Sequence, residues 1–395
     1  MKKTFLFSSL LLVVACTQAP VKEYNWISLS EKGLMQNSVR VLKESKEFKT
    51  DHGFKDLEIK KHSLAPSEKS YNKIVLLGDT GCRLKEGAYG RAYQNCKDPQ
   101  EWPYANVIEK VAAEKPDLVI HVGDYHYREH CSEGKPCRQM TDTIGYGWNS
   151  WQADFFLPST PAFAAIPWLF VRGNHEDCKR AFEGYKLISE QKWDKDCVAA
   201  EKTEYIQLGD VLIVQLDSSS VSDDPSKTDQ VSFWEQQFKD IEQNLQNSKA
   251  KHIWLFTHKP ITGLVDAGDN KVAMTNVHLQ KAFAKTNLNK KIELTVAGHI
   301  HNTQYLLAKG FPLQLVVGNS GSALDPIEDF KTPEKILKTK FEGVTVIKFS
   351  TTSTSDRDFG YAVLFKEPGT NKWMIGFHNM KGERTLTLPA GIPTS

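Results

Sequence analysis

Five short stretches of this 395-residue chain place oxygen and nitrogen donors directly after runs of aliphatic residues. Ile74–Leu77 leads into Gly78-Asp79, Leu118–Val122 into Gly123-Asp124-Tyr125-His126-Tyr127, and Trp168–Val171 into Arg172-Gly173-Asn174-His175-Glu176. Ile253–Phe256 leads into Thr257-His258, and Leu294–Val296 into Ala297-Gly298-His299-Ile300-His301. Carboxylate, imidazole, amide and phenol groups suit zinc, manganese or iron rather than copper(I) or an iron–sulfur cluster. The seven candidates Asp79, Asp124, Tyr127, Asn174, His258, His299 and His301 are too many for one tetrahedral zinc. They suit two adjacent ions that share a carboxylate, an arrangement that serves in-line displacement at phosphorus.

Such donors need strands to hold them. The runs, with a further one at Val211–Leu216, alternate with longer patterned stretches, the rhythm of βαβ units about a mostly parallel sheet. Open α/β sheets bind ligands at the C-terminal ends of their strands, where these motifs fall. Glycine precedes Asp79, Asp124, Asn174 and His299, as a sharp turn or a close backbone approach requires. Tyr104–Ala113 and Val231–Leu245 carry apolar residues at helical intervals, and Pro103 suits a helix first turn. Val316–Asp325 reads as a turn-rich loop, and Gly343–Leu388 as antiparallel strands. Residues 26–70 read as a small β-rich N-terminal segment, and residues 71–395 as the catalytic domain.

The ordered set Gly-Asp, Gly-Asp-x-x-Tyr, Gly-Asn-His-Glu, a lone His after a strand and Gly-His-x-His resembles the calcineurin-like metallophosphoesterases, specifically the purple acid phosphatases, from about Ile74 to His301. General members carry His where Gly81 stands; the phosphatase subgroup lacks it and supplies a Tyr in the second motif, as Tyr127 does here. The resemblance implies an α/β sandwich of two mixed sheets flanked by helices. It implies that Asp79, Tyr127 and His301 bind ferric iron, that Asp124 bridges, and that Asn174, His258 and His299 bind zinc, iron or manganese as a divalent ion. A hydroxide held by the metals would attack phosphorus, with His175 protonating the leaving oxygen and Glu176 orienting a neighbouring imidazole. Arg83, Arg128, Arg172 and Lys259 flank ligands and are candidate phosphate contacts. Plant and animal purple acid phosphatases carry a second outer-sphere His after the lone metal His; Ile261–Asn270 has none, though Asp266 and Asp269 lie there. The reading is a phosphomonoesterase acting on a phosphorylated small molecule. A phosphodiesterase or nucleotidase of the same fold stays open, as does a surface binding protein without turnover.

The N-terminus supplies an address. Met1–Lys3 and the apolar Phe5–Val14 read as a signal peptide over residues 1–15, too short to span a bilayer. Val13-Val14-Ala15-Cys16 resembles a bacterial lipobox, which implies cleavage before Cys16, diacylation of its thiol, and a tether over residues 16–25. Thr17 rather than Asp after Cys16 resembles lipoproteins sorted to the outer membrane, so the expected address is periplasmic or cell-surface, through a lipid anchor. Six further cysteines fall as close couples, favouring Cys82–Cys96, Cys131–Cys137 and Cys178–Cys197, with a thiolate metal site as the alternative. Cys82, Cys131 and Cys178 each follow a site motif, so local bridges would brace those loops. With 40% hydrophobic and 25% charged residues the chain is not disordered. The balance of 50 Lys+Arg against 48 Asp+Glu argues against a nucleic-acid binder. His52, His62, His252, His278 and His378 have no motif context and read as surface residues; His121, inside an apolar run, reads as a hydrogen-bonded core residue.

Overall fold

The computed structural model describes residues 23–41, 54, 57–64, 70–85, 93–190, 196–268, 271–325, 340–341, 344–355 and 357–391. The signal peptide, Cys16 and the tether up to residue 22 lie outside the described residues, as does Asp269.

The first sheet begins with β1 (Glu23–Ser30), β2 (Gly33–Val41) and β3 (Leu57–Ser63), followed by β4 (Lys73–Leu77), β5 (Leu118–His121) and β6 (Pro167–Phe170). The second contains β7 (Glu204–Leu208), β8 (Val211–Gln215), β9 (His252–Phe256), β12 (Leu294–Ala297), β13 (Thr303–Ala308), β14 (Leu313–Val317), β15 (Lys340–Phe341) and β16 (Val344–Ser350). A separate hairpin pairs β10 (Leu264–Gly268) with β11 (Lys271–Met274), and β17 (Gly360–Lys366), β18 (Trp373–Asn379) and β19 (Arg384–Pro389) return to the first sheet. The orders are β19-β18-β17-β4-β5-β6-β1-β2-β3 and β15-β16-β13-β14-β12-β9-β8-β7. The central strands β4, β5 and β6 are parallel, as are β8, β9, β12 and β14, while the margins are antiparallel. Both sheets are therefore mixed, and the N-terminal strands extend the first sheet through the parallel pairing of β1 with β6.

The continuous apolar runs follow from burial on both faces. In β4, Ile74 and Leu76 face the other sheet, while Val75 and Leu77 face helices. Helices α1 (Tyr104–Glu114), α2 (Trp148–Trp151), α3 (Leu157–Phe163) and α4 (Phe182–Glu190) supply side chains to the core on the outside of the first sheet. Helices α5 (Gln230–Asn244) and α6 (Val277–Phe283) cover the second. Tyr104, Val107, Ile108 and Val111 form the buried stripe of α1, and Trp234, Phe238 and Ile241 that of α5. The result is four layers, helix, sheet, sheet, helix, with the C-terminal ends of two parallel strand sets at one rim.

Disulfides join Cys82–Cys96, Cys131–Cys137 and Cys178–Cys197, the close couples of the sequence. His121 is buried, its Nε2 2.9 Å from Thr80 Oγ1. His278 and His378 depart from the surface reading: both are buried, His278 beside the Asp224 carbonyl and His378 against Tyr361.

Candidate metal centre

Each motif residue is set by the strand before it. Asp79 follows β4 by two positions, Asp124 follows β5 by three, and His258 and His299 follow β9 and β12 by two. Asp79, Asp124 and His299 adopt left-handed backbone, with φ of 55°, 59° and 70°. Such conformations cost about 1–3 kcal/mol each and persist where the surroundings over-determine them. The surroundings here are backbone: Asp79 N donates to Gly123 O at 3.0 Å and Thr80 N to Asp124 O at 3.0 Å, tying the first two loops together. Two glycines permit the close approach; a Cβ on Gly298 would collide with the Asp79 carboxylate, and one on Gly173 with the Asp124 backbone nitrogen.

The side chains converge. Tyr127 Oη lies 2.7 Å from Asp124 Oδ2, 3.3 Å from Asp79 Oδ1 and 2.7 Å from His301 Nε2. On the other side His258 Nε2 lies 2.9 Å from Asn174 Oδ1 and 3.2 Å from Asp124 Oδ2, and the His258 and His299 rings are 5.3 Å apart. Donors around one ion at about 2.0–2.2 Å sit roughly 3 Å from their neighbours, so this spacing fits metal coordination. Two donor groups result, Asp79-Asp124-His301 and Asp124-His258-His299, each with its ligand atoms within 4.8 Å of one another. Asp124 belongs to both, the place of a bridging carboxylate.

The electrostatics match crowded donors. Burial favours protonation of Asp124, yet the neighbouring imidazoles of His258 and His175 hold its carboxyl well below the usual range. Burial opposes the charged form of His258, but Asp124 raises it to about 9. The Tyr127 phenol is pushed well above its ordinary value by burial and by Asp124 and Asp79. Without a cation it stays protonated and donates to Asp124; ionising it is work a multivalent ion does.

His175 stands at the rim, its Nε2 3.9 Å from Asp124 Oδ2 and its ring 4.0 Å from that of Tyr127. Its Nδ1 donates to Glu129 Oε1 at 2.5 Å. Arg83 is also at the rim, with Nη1 3.4 Å from His301 Nδ1 and 3.9 Å from Asp325.

Other candidates serve elsewhere. Glu176 orients no imidazole: its carboxylate accepts from the backbone N–H groups of Asp124, Tyr125, His126 and Gly173, fixing the second motif. Arg128 is buried against Trp102 and donates to Asp154 and Thr141, so it is not a phosphate contact. Arg172 is buried as well, bridging Asp217, the Glu176 carbonyl and the Cys178–Cys197 sulfurs. Lys259 is buried on Asp223, which reaches His299 Nε2 at 3.3 Å.

Sequence reasoning missed Asp154, whose carboxylate accepts from Cys82 N, Tyr127 N and Arg128 N, and it missed Glu129 and Asp223. It also missed the 318–325 loop as support: Ser322 N donates to Asp79 O, Asp325 N to His301 O, and His301 Nδ1 to Ala323 O. The glycine-serine run there signalled a turn but not a partner.

A two-sheet α/β sandwich gathers two carboxylate-linked donor groups at one strand rim, an arrangement able to hold two adjacent metal ions. The family description calcineurin-like phosphoesterase matches residues 72–303, more than half of the chain, and the protein belongs to that family. That family is one of phosphoesterases, and the two donor groups are candidate ligands for a dinuclear metal site. Among solved structures it is similar to the purple acid phosphatase PPD1 from yellow lupin (Lupinus luteus) seeds, at 15% identity and a TM-score of 0.51, over 90% of this chain and 59% of that one. It is also similar to a dimetal phosphatase from Danio rerio, at 10% identity and a TM-score of 0.47, over 82% of this chain and 100% of that one. The first likeness is one of fold, and the chain spans 59% of the lupin protein's length. No curated protein matches the sequence.

Proposed function

We propose that the protein is an exported phosphomonoesterase of purple acid phosphatase type. The observation that carries this is Tyr127, whose hydroxyl sits among Asp79, Asp124 and His301. A phenol in that place suits a hard trivalent ion, so Asp79, Tyr127 and His301 would hold ferric iron, and Asn174, His258 and His299 would hold zinc, iron or manganese, with Asp124 between them. When bound, such ions acidify water and offset charge on the phosphoryl oxygens.

The chain's own residues then have distinct tasks. Glu129 accepts the Nδ1 proton of His175 and so fixes the ring with Nε2 toward the Asp124 side of the rim, from which it can give a proton to the leaving oxygen. Arg83, at the His301 side, is placed to meet a phosphoryl oxygen. Glu176, Asp154 and the 318–325 loop hold the backbone so that the donors need not reorganise.

The test is steady-state hydrolysis of p-nitrophenyl phosphate and bis(p-nitrophenyl) phosphate from acidic to alkaline pH, with Asn174→Ala as control. Faster turnover of the monoester, abolished in the control, is expected; preference for the diester would move the reading to a phosphodiesterase. Three disulfides suit an oxidising compartment, and no helix among the described residues is long and apolar enough to cross a membrane. Lipidation of Cys16 would make the anchor; Cys16→Ser should release the protein from the membrane fraction, and unchanged fractionation would rule the anchor out.

A further inference from the structure

Beside the His175 end of the site lies a pocket of about 470 Å³, lined by Tyr146, Lys179, Arg180, Phe182, Glu183 and the Cys178–Cys197 disulfide. It is joined to the site by shared residues. Arg180 donates to the Asn174 carbonyl and reaches Glu129 Oε1 at 3.6 Å, and Glu129 in turn holds His175. Ala181 N donates to the His175 carbonyl at 3.2 Å.

The lining has two unused chemistries. Tyr146 is 36% exposed, an unusual state for a large aromatic residue in this chain, and the buried His126 ring backs it at 6.0 Å. Lys179 is exposed and its ammonium has no ion-pair partner among the described residues, whereas Arg180 is already shared between Asp177 and Glu129.

We infer that this pocket receives the leaving group and selects an aromatic alcohol that carries an anionic substituent. The inference rests on the phosphomonoesterase reading. In-line displacement places the leaving oxygen beside the group that protonates it, so the alcohol of the ester extends past His175 toward Arg180 and Tyr146. A planar ring would stack on Tyr146, and a carboxylate on it would meet Lys179. Water adds to phosphorus, the bond from phosphorus to the aryl oxygen breaks, the proton from His175 leaves with the phenol, and the proton given up by the water restores His175.

The experiment compares glycerol phosphate, phenyl phosphate and 4-carboxyphenyl phosphate on the full chain, for wild type, Tyr146→Ala, Tyr146→Phe and Lys179→Ala. Tyr146→Ala should lower kcat/KM for both aryl esters about fivefold through KM, leave glycerol phosphate unchanged, and be rescued by Tyr146→Phe. Lys179→Ala should lower only 4-carboxyphenyl phosphate, by about threefold. Equal changes across all three esters, or none, would overturn the pocket while leaving the phosphatase reading intact. A wild type that turns over none of the three would overturn both.

Discussion

Asp124 answers to His258, His175 and Tyr127 through one carboxylate, so replacing its neighbours perturbs charge before shape. Tyr127→Phe removes only a hydroxyl from a buried cluster. If that oxygen binds ferric iron as a phenolate, wild type loaded with iron should show a visible absorption band that the variant lacks while it keeps its far-ultraviolet circular dichroism. His258 gives a pH prediction for protein stripped of metal. Its folded value of about 9 exceeds the ordinary 6.5, so its contribution to stability is full below pH 6.5 and fades as pH rises to about 9. In urea titrations of chelated protein, the gap between wild type and His258→Gln should narrow across that window. The donors themselves were legible in the sequence because each has its own chemistry and follows a strand. Glu129 and Asp154 were not, since a carboxylate two residues past a motif, or inside a helical run, looks like any other acid until the fold shows its partners.

Among elements, the loops after strands matter more than the strands. Gly173 sits where a side chain would strike the Asp124 nitrogen and the Glu176 carboxylate. Gly173→Ala should therefore cost about 1–3 kcal/mol and reduce metal content, read by urea denaturation and elemental analysis; retention of both would show that the second and third loops are not tightly coupled. The strands β4, β5, β6, β9 and β12 were readable as apolar runs because both their faces are covered. The 318–325 loop was readable only as a turn, because its work is done by backbone N–H groups, which every sequence possesses.

At the scale of the molecule, the first sheet mixes distant parts of the chain. β17 lies against β4, and β1 against β6, pairings that no local pattern announces. The family match ends at residue 303, yet Ala362 and Leu364 of β17 lie in the core between the sheets with Ile74 and Leu76. A chain ended at residue 312 would lose β14 to β19 and bare that core. It should be insoluble or lack near-ultraviolet circular dichroism; a soluble, cooperatively melting fragment would show that the matched region folds alone.

That pairing also sets an order of events during synthesis. The donors run from Asp79 to His301, but one of the two strands that flank Asp79's own strand arrives only at residues 360–366. If metal loading waits for that strand to dock, metal selection belongs to the compartment where the last strands arrive. For a chain threaded through a membrane before it folds, the ions available on the far side would decide which enzyme it becomes.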